Sequence, residues 1–198
     1  KNGIARANVS RIAHVARLFS EFIAASLLCR ESDYVLLDGT LQGQVTNQSK
    51  YIKSLFDTAY ENDCTVCGLA KSCQLVTNKG LGVCKTLINN APENVIWDYY
   101  PAFIEENDIG IHFVKLHKNA KKCFRLEIKG KFDEILLGLL CRNSMDPVFF
   151  GYPYGLIEAD KFARVTNEER EYDKIRIISK AGMEQEPDSH EILDNIAF

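Results

Sequence analysis

Two short apolar runs, separated by one helix-forming segment, are the feature that most constrains the fold. Residues 34–37 read Tyr-Val-Leu-Leu and end at Asp38-Gly39, as expected for a buried strand that stops at a turn. Residues 49–60 have helical apolar spacing, and residues 65–69 predict a second strand shortly before Lys71. A helix between two strands favours parallel pairing. The segment therefore predicts a β-α-β unit in which a charged residue follows each strand.

The remaining segments add helices and a hairpin. Residues 78–108 are rich in Gly, Asn and Pro and predict a loop, apart from one short helix at 83–88. Two extended runs, 109–117 and 123–129, predict an antiparallel hairpin. Further helices are predicted at 9–29, 131–141 and 155–165, before a charged stretch at 167–176. The apolar residues predicted to face inward from the first helix are Ile12, Val15, Ala16, Phe19, Phe22, Ile23 and Leu27, and from the 131–141 helix Phe132, Ile135, Leu136, Leu139 and Leu140.

This order of elements predicts one mixed α/β domain over residues 1–198, with parallel and antiparallel pairing in one sheet. The chain starts with Lys1 rather than Met, so we expect that the native N-terminus precedes it. Residues 181–198 combine Gly, Pro, Glu and Asp and predict a mobile tail or an oligomer arm.

Charge and hydropathy exclude several classes of protein. The 198 residues include 24 basic and 27 acidic side chains, a net charge of −3, which excludes histone-like binding by bulk charge. Any contact with DNA or RNA must therefore be local. Hydrophobic residues make up 46% of the chain, which excludes a disordered protein. No apolar run reaches the roughly 18 to 20 residues of a membrane span, and no signal peptide is visible.

Seven cysteines in a chain without a secretion signal favour reduced thiols and a cytoplasmic location. Cys64 and Cys67, with Cys73 and Cys84 following, leave a zinc site as an alternative. Residues 64–69 are strand-like, so side chains three positions apart face opposite ways. This favours buried free thiols over four convergent ligands.

Acidic side chains on separate elements are the candidates for metal-dependent chemistry. Asp38 ends a buried strand, where α/β sheets place ligands, although Asp-Gly is also a frequent turn former. Glu127 alternates with apolar residues on the second hairpin strand, and Glu158 and Asp160 lie on the helix at 155–165. Two or three carboxylates around Mg²⁺ or Mn²⁺ make a hydrolytic centre for phosphodiesters. The alternative is that these side chains simply face water.

Basic and aromatic side chains lie in the same regions. Lys71 follows the second strand, Lys115 and His117 lie on one hairpin arm, and Arg125 lies on the other. Lys115 and His117 are predicted to project from one sheet face, where cations would offset the repulsion of a phosphate backbone. The alternative is that Lys115 and Arg125 pair with acidic neighbours across the hairpin. Tyr152 belongs to an aromatic cluster that either stacks bases or packs in the core.

Four short motifs occur in a fixed order along residues 34–165. They are VLLDGTL at 35–41, VCGLAKS at 66–72, VKLH at 114–117 with FRLE at 124–127, and GYPYGLIEAD at 151–160. As a set they resemble the NurA family of DNA-repair nucleases. The resemblance implies an RNase H-like fold, a mixed sheet flanked by helices. It also implies a Mn²⁺-dependent nuclease, with Mg²⁺ as the alternative cation, that cuts single strands and resects DNA ends. The implied assembly is a homodimer that works with a HerA-type ring translocase.

The resemblance carries over to single residues. Asp38 matches the family's metal-binding aspartate at a strand end, and Tyr152 matches the tyrosine of its Tyr-Pro motif. Glu127 falls at the acidic end of the Phe-Arg-x-acid strand, which implies a further ligand. Asp160 stands where the family usually has a metal-binding His, and aspartate is also a hard oxygen donor. The family's other acidic ligands have no clear counterpart, and Asp98 is the candidate for one of them.

The matches predict a hydrolytic mechanism and leave two alternatives. One or two divalent ions held by Asp38, Asp160 and Glu127 would activate a water for in-line attack on phosphorus, while the basic residues orient the phosphate. One alternative is an RNase H-like scaffold that has lost its chemistry, dimerises and docks onto a translocase. The other is a metal-dependent phosphohydrolase that acts on free nucleotides.

Overall fold

The computed structural model describes residues 9–42, 48–105 and 108–181. The helices are α1 (Val9–Leu28), α2 (Gln48–Glu61), α3 (Val83–Asn90), α4 (Glu134–Asn143), α5 (Tyr154–Ala163) and α6 (Asn167–Ala181). The strands are β1 (Tyr34–Asp38), β2 (Thr65–Ala70), β3 (Trp97–Glu105), β4 (Ile109–Lys115) and β5 (Phe124–Lys129). In these ranges no helix has the length and apolar character needed to cross a membrane. The tail predicted after residue 181 lies outside the described residues.

The strands form one mixed sheet in the order β1-β2-β5-β4-β3. β1 and β2 pair in parallel, which confirms the predicted β-α-β unit. β5 pairs antiparallel with both β2 and β4, so the predicted hairpin lies inside the sheet. The predicted mixed α/β sheet flanked by helices is confirmed. Because β1 and β2 run the same way, Asp38 and the residues after Ala70 come out at the same edge of the sheet.

Strand β3 corrects the prediction of a loop over residues 78–108. It pairs antiparallel with β4 at the edge of the sheet, with a register shift between Tyr99 and Phe103. Pro101 lies inside that shift, and an edge strand or a bulge is where a strand tolerates a residue without an N–H. Pro101 therefore marks an edge strand rather than the absence of one.

Each face of the sheet carries its own apolar core. On one face, α1 and α2 bury Phe22 and Leu55 against the sheet residues Val66 and Ile111. On the other face, α4 and the first turn of α5 bury side chains against the alternate sheet positions. These buried residues include Cys67, Leu69, Leu126, Leu136, Leu140 and Leu156. The alternation of strand side chains assigns successive residues of β2 to opposite cores.

Helix α1 buries a stripe that overlaps only partly with the predicted one. The predicted Phe22 is buried, as are Ala25 and, just after the helix, Cys29, whereas the predicted Ile12 and Ile23 are more than half exposed. The helix is apolar around most of its circumference, so periodicity alone does not select a single face. Helix α4 shows the same correction, since Leu136 and Leu140 are buried while Ile135 and Leu139 are exposed, and Phe132 is also exposed.

The chain divides into two compact units, residues 1–157 and 158–198. The first contains the whole sheet and the helices α1 to α4. In the described part of the second unit, most of α5 is followed by α6, and ion pairs one helical turn apart lie along the surface. Two of them, Lys161–Glu158 and Arg164–Asp160, have nitrogen-to-oxygen distances of 2.6 Å.

Candidate functional site

Three side chains meet at the edge where β1 and β2 end. Asp38 is the last residue of β1, and Lys71 directly follows β2. The Lys71 Nζ lies 2.6 Å from Asp38 Oδ2, and the Tyr152 hydroxyl donates to Asp38 Oδ1 at 3.0 Å. The Lys71 ammonium also lies 5.1 Å from the centre of the Tyr152 ring. We refer to Asp38, Lys71 and Tyr152 as the Asp38 cluster.

Tyr152 reaches the Asp38 cluster from a tightly packed turn. Its ring is buried and contacts Phe124 edge to face, with 5.4 Å between ring centres. Gly151 has a φ of +86°, and a Cβ there would lie 2.6 Å from the Ala120 Cβ. The turn before α5 therefore packs directly on the turn between β4 and β5. The Tyr152 ring therefore packs in the core, which was one of the two predicted alternatives, while its hydroxyl donates a hydrogen bond to Asp38.

Glu127 lies beneath the turn that follows Asp38. It is fully buried on β5, and its Oε2 accepts a hydrogen bond from the Leu41 N–H at 2.6 Å. Its Oε1 lies 2.8 Å from Nε of Arg125, which is also buried. A charge-assisted hydrogen bond to a backbone N–H is among the stronger ones in proteins. Glu127 thus fixes the turn after Asp38 in this structure, and its assignment as a metal ligand stays a prediction.

The same turn requires a glycine on the neighbouring strand. Gly68 lies opposite Glu127 in the sheet, and a Cβ on it would be 2.6 Å from the Gly39 carbonyl oxygen. Gly39 in turn donates its N–H to the Leu69 carbonyl at 3.0 Å. The turn after β1 therefore folds back over β2 and β5. Gly68 was not singled out from the sequence, although a glycine inside a strand often marks close backbone approach.

Helix α1 contributes a second carboxylate that sequence analysis missed. Glu21 lines a cavity of about 100 Å³ together with Asp38. The pKa of Glu21 is raised overall, mainly because the carboxyl is buried. The charge of Arg17, one turn earlier, lowers this pKa, and the charge of Asp38 raises it. The Arg17 Nη1 lies 3.7 Å from Glu21 Oε2. No sequence signal marks Glu21, because its location follows from the face of α1 that packs on the sheet.

Lys115 and His117 were predicted to project from the same face of one strand, and this prediction is wrong. β4 ends at Lys115, so His117 lies in the following turn. The His117 Nδ1 accepts a hydrogen bond from the Asn119 N–H at 3.1 Å, and its ring stacks on Phe150. Here a side-chain acceptor satisfies a backbone donor two residues later, which stabilises the turn.

Burial separates the other predicted DNA-binding residues. Lys115 and Arg125 are each 6% exposed, and Arg125 pairs with Glu127 on its own strand. Lys71 has a side chain that is 54% exposed and bonds Asp38 directly. In the described chain, Lys71 is therefore the predicted DNA-binding residue that both contacts Asp38 and is exposed to solvent.

Asp160 and Asp98 each have a basic partner. Asp160 belongs to the second unit, where its Oδ2 lies 2.6 Å from Nη2 of Arg164. Asp98 lies on β3, with its carboxylate oxygens 3.1 and 3.2 Å from Nδ1 of His112. His112 is 1% exposed, so this pair belongs to the packing between β3 and β4. The metal-binding role of Asp160 stays a prediction.

The described residues contain no group of three or more His, Cys, Asp or Glu side chains arranged to hold a metal ion. Asp38 brings one carboxylate, whose oxygens accept hydrogen bonds from Lys71 and Tyr152. The Glu127 oxygens face Leu41 and Arg125. Mg²⁺ and Mn²⁺ prefer several oxygen ligands around one position. In this arrangement Asp38 and Glu127 do not by themselves supply the several oxygen ligands of such a cation.

The cysteines are free thiols, as predicted. Cys64 packs in the core under α1 and α2, and Cys67 packs in the core on the opposite face. Burial raises the pKa of Cys64 and of Cys67 to about 12 in each case. These two thiols therefore lie on opposite sides of the sheet and do not converge, as the strand alternation predicted.

The fold is similar to a solved nuclease structure. The crystal structure of the NurA nuclease from Sulfolobus solfataricus matches with a TM-score of 0.59 and 18% sequence identity. The match covers 86% of this chain and 69% of that nuclease chain. No protein-family model and no curated protein matches the sequence. At this level of identity the comparison establishes a NurA-like fold.

Proposed function

We propose that the protein is a nuclease that cleaves phosphodiester bonds of DNA, with the Asp38 cluster as its reacting centre. The observation that carries the proposal is the meeting of Asp38, Lys71 and Tyr152 at one sheet edge, within a fold similar to the NurA nuclease. Polar groups at the carboxyl ends of parallel strands are typical of ligand sites in α/β sheets. The sequence motifs that resemble the family supply all three residues.

The three side chains have complementary roles in this proposal. Lys71 is a half-exposed cation, so its ammonium can move from Asp38 to a phosphate oxygen of the substrate. Asp38 Oδ2 is then released and accepts a proton from the attacking water, whose oxygen bonds to phosphorus. The bond between phosphorus and the leaving oxygen breaks, and that oxygen takes up a proton from solvent. Tyr152 keeps its hydrogen bond to Oδ1 and so holds the carboxylate in place. The substrate phosphate replaces Asp38 as the partner of Lys71, which keeps that cation paired throughout.

The finer parts of the proposal follow the motif resemblance. We include cleavage of single strands and 5′-to-3′ resection in double-strand break repair, with Mn²⁺ or Mg²⁺ as cofactor. Asp160 keeps the metal-ligand role that the motif resemblance implies. The proposed assembly is a homodimer that acts with a HerA-type translocase, and the free thiols support a cytoplasmic location.

Cleavage assays test the proposed function directly. End-labelled single-stranded DNA, double-stranded DNA, RNA and free nucleotides are incubated with the full chain in Mn²⁺, Mg²⁺ or EDTA. We expect cleavage of single-stranded DNA in Mn²⁺, with Asp38→Ala and Lys71→Ala each at least about 100-fold slower, as expected for loss of a proton acceptor or a phosphate contact. Asp57→Ala, an exposed change on α2, should cleave like the unaltered chain. Equal rates for Asp38→Ala and the unaltered chain would refute the proposal.

A non-catalytic scaffold is the second candidate, and one observation favours it. Both Asp38 oxygens have protein donors, and the described chain contains no three-ligand metal group. On this alternative, calorimetry detects no uptake of Mn²⁺ or Mg²⁺ and no substrate is cleaved, while dimerisation and translocase binding persist. Hydrolysis of free nucleotides without cleavage of DNA would instead indicate the nucleotide phosphohydrolase.

A further inference from the structure

A basic cavity opens directly beside the Asp38 cluster. It has a volume of about 310 Å³, and Lys71 lies in its wall. Three more lysines line it, Lys85, Lys121 and Lys122, and among the described residues its lining includes no aspartate or glutamate. Lys71 therefore belongs both to this cavity and to the contact with Asp38.

The lysines come from two separate elements that converge on this cavity. Lys85 lies on α3, a helix whose sequence contains no acidic residue. Lys121 and Lys122 lie in the turn between β4 and β5. All three are exposed, and within the described chain none of them forms an ion pair. Like charges gathered in a concave surface without acidic partners raise the local concentration of anions.

We propose that this cavity binds the phosphates of a single DNA strand and leads the strand to Asp38. The proposal rests on the proposed function, because it names the surface that delivers the substrate. A cavity of about 310 Å³ has the size of a small-molecule site. It can take a short stretch of the backbone of one DNA strand, whereas a duplex is too wide to enter it. It also explains how a chain with a net charge of −3 holds DNA, since the contact is local.

Salt-dependent binding tests the cavity without requiring cleavage. Binding of a fluorescein-labelled oligothymidylate to the full chain is measured by anisotropy in EDTA over a range of salt concentrations. The Lys121→Ala/Lys122→Ala variant is compared with Lys50→Ala/Lys53→Ala, which removes the same charge from exposed positions on α2. Each lost phosphate contact on single-stranded DNA reduces the salt slope by about 0.7, so the first variant should lose about 1.4. Relative to the unaltered chain, the loss of affinity in this variant should therefore be roughly 25-fold greater at 0.1 M salt than at 1 M salt.

The outcomes separate this inference from the proposed function. An unchanged salt slope for the Lys121/Lys122 variant, or an equal loss in the α2 control, would overturn the basic cavity as the DNA surface, even if the chain cleaves DNA. The expected slope change in a chain that cleaves nothing would support the cavity and contradict the nuclease. Lys85→Ala should reduce the slope by about 0.7 by itself. Displacement of the strand by an equimolar amount of thymidine triphosphate would overturn recognition of a polymer.

Discussion

Single residues at the candidate site are held by charge pairs and by close backbone approach. Asp38 and Lys71 neutralise one another at the edge of the sheet, while Glu127 and Arg125 do so in its interior. The exposed pair can exchange partners with a ligand at little cost, because ion pairs in water contribute about 0–1 kcal/mol. The buried pair cannot, since separating it leaves a charge without water. The two pairs therefore predict different consequences of mutation.

Glu127→Ala is expected to destabilise the fold strongly. The change removes the acceptor for the Leu41 N–H and leaves the Arg125 guanidinium buried without its carboxylate. Breaking a buried pair in this way costs about 3–5 kcal/mol in the free energy of unfolding, measured by urea denaturation. Glu127→Gln keeps an oxygen for Leu41 and should lose less. A loss below about 1 kcal/mol for Glu127→Ala would show that this carboxylate does not hold the turn.

Gly68→Ala tests the close approach of the turn after β1. The added Cβ would lie 2.6 Å from the Gly39 carbonyl oxygen, so the backbone must shift. We expect a loss of about 1–3 kcal/mol in the free energy of unfolding, as for other overpacked sites. Gly138→Ala is the matched control, because a Cβ on this α4 residue meets nothing within 4 Å. The control should gain about 0.5–1 kcal/mol from higher helix propensity, and a similar result at Gly68 would contradict the observed packing.

At the scale of secondary structure elements, capping explains where α4 begins. Asp133 precedes the helix, and its Oδ1 accepts a hydrogen bond from the Leu136 N–H at 2.8 Å. The Tyr34 hydroxyl donates to the same carboxylate from β1, at 2.9 Å to Oδ2. Phe132 lies before this cap, so the helix is shorter than the apolar pattern predicted. One carboxylate thus sets the helix boundary and connects it to the sheet.

The pH dependence of stability should change in Asp133→Ala. The Leu136 N–H, followed by the Tyr34 hydroxyl, lowers the pKa of Asp133 below its ordinary value of 3.8. The stabilisation from this carboxylate is therefore fully present above pH 3.8 and is lost as the pH falls through the folded-state pKa. Melting temperatures of the two proteins should differ most near pH 7 and converge below pH 3. A gap for Asp133→Ala that persists at pH 2 would contradict the capping charge.

For the whole molecule, the two cores on opposite sides of one sheet bury three of the seven thiols. Cys29 and Cys64 lie in one core and Cys67 lies in the other. Cys123 is also buried, whereas Cys73, Cys84 and Cys141 are half-buried. Because the thiolate is the reactive form, burial and a raised pKa act in the same direction for Cys64 and Cys67.

Thiol titration with Ellman's reagent should report this arrangement. At pH 8 we expect no more than the three half-buried cysteines to react rapidly in the folded protein, and all seven to react in guanidinium chloride. Cys67, with a pKa of about 12, should react last. Rapid reaction of Cys67 in the folded protein, identified by mass spectrometry, would contradict the two-core fold.

Local sequence determined the elements that depend on short-range patterns. The apolar run ending at Asp38, the helix after it and the strand before Lys71 were all predictable, because hydrophobic spacing and turn residues act within a few positions. The parallel pairing of β1 and β2 followed from their connection through a helix. These features sufficed to place Asp38 and Lys71 at ends of strands.

Only the tertiary structure decided which of several possible partners each residue has. It selected one apolar stripe of α1, brought Glu21 to the cavity beside Asp38, and assigned Glu127 to the Leu41 N–H. It also gathered lysines from α3 and from a turn between strands into one cavity. These contacts join residues far apart in the chain, and their energies depend on burial and distance, which no local pattern specifies.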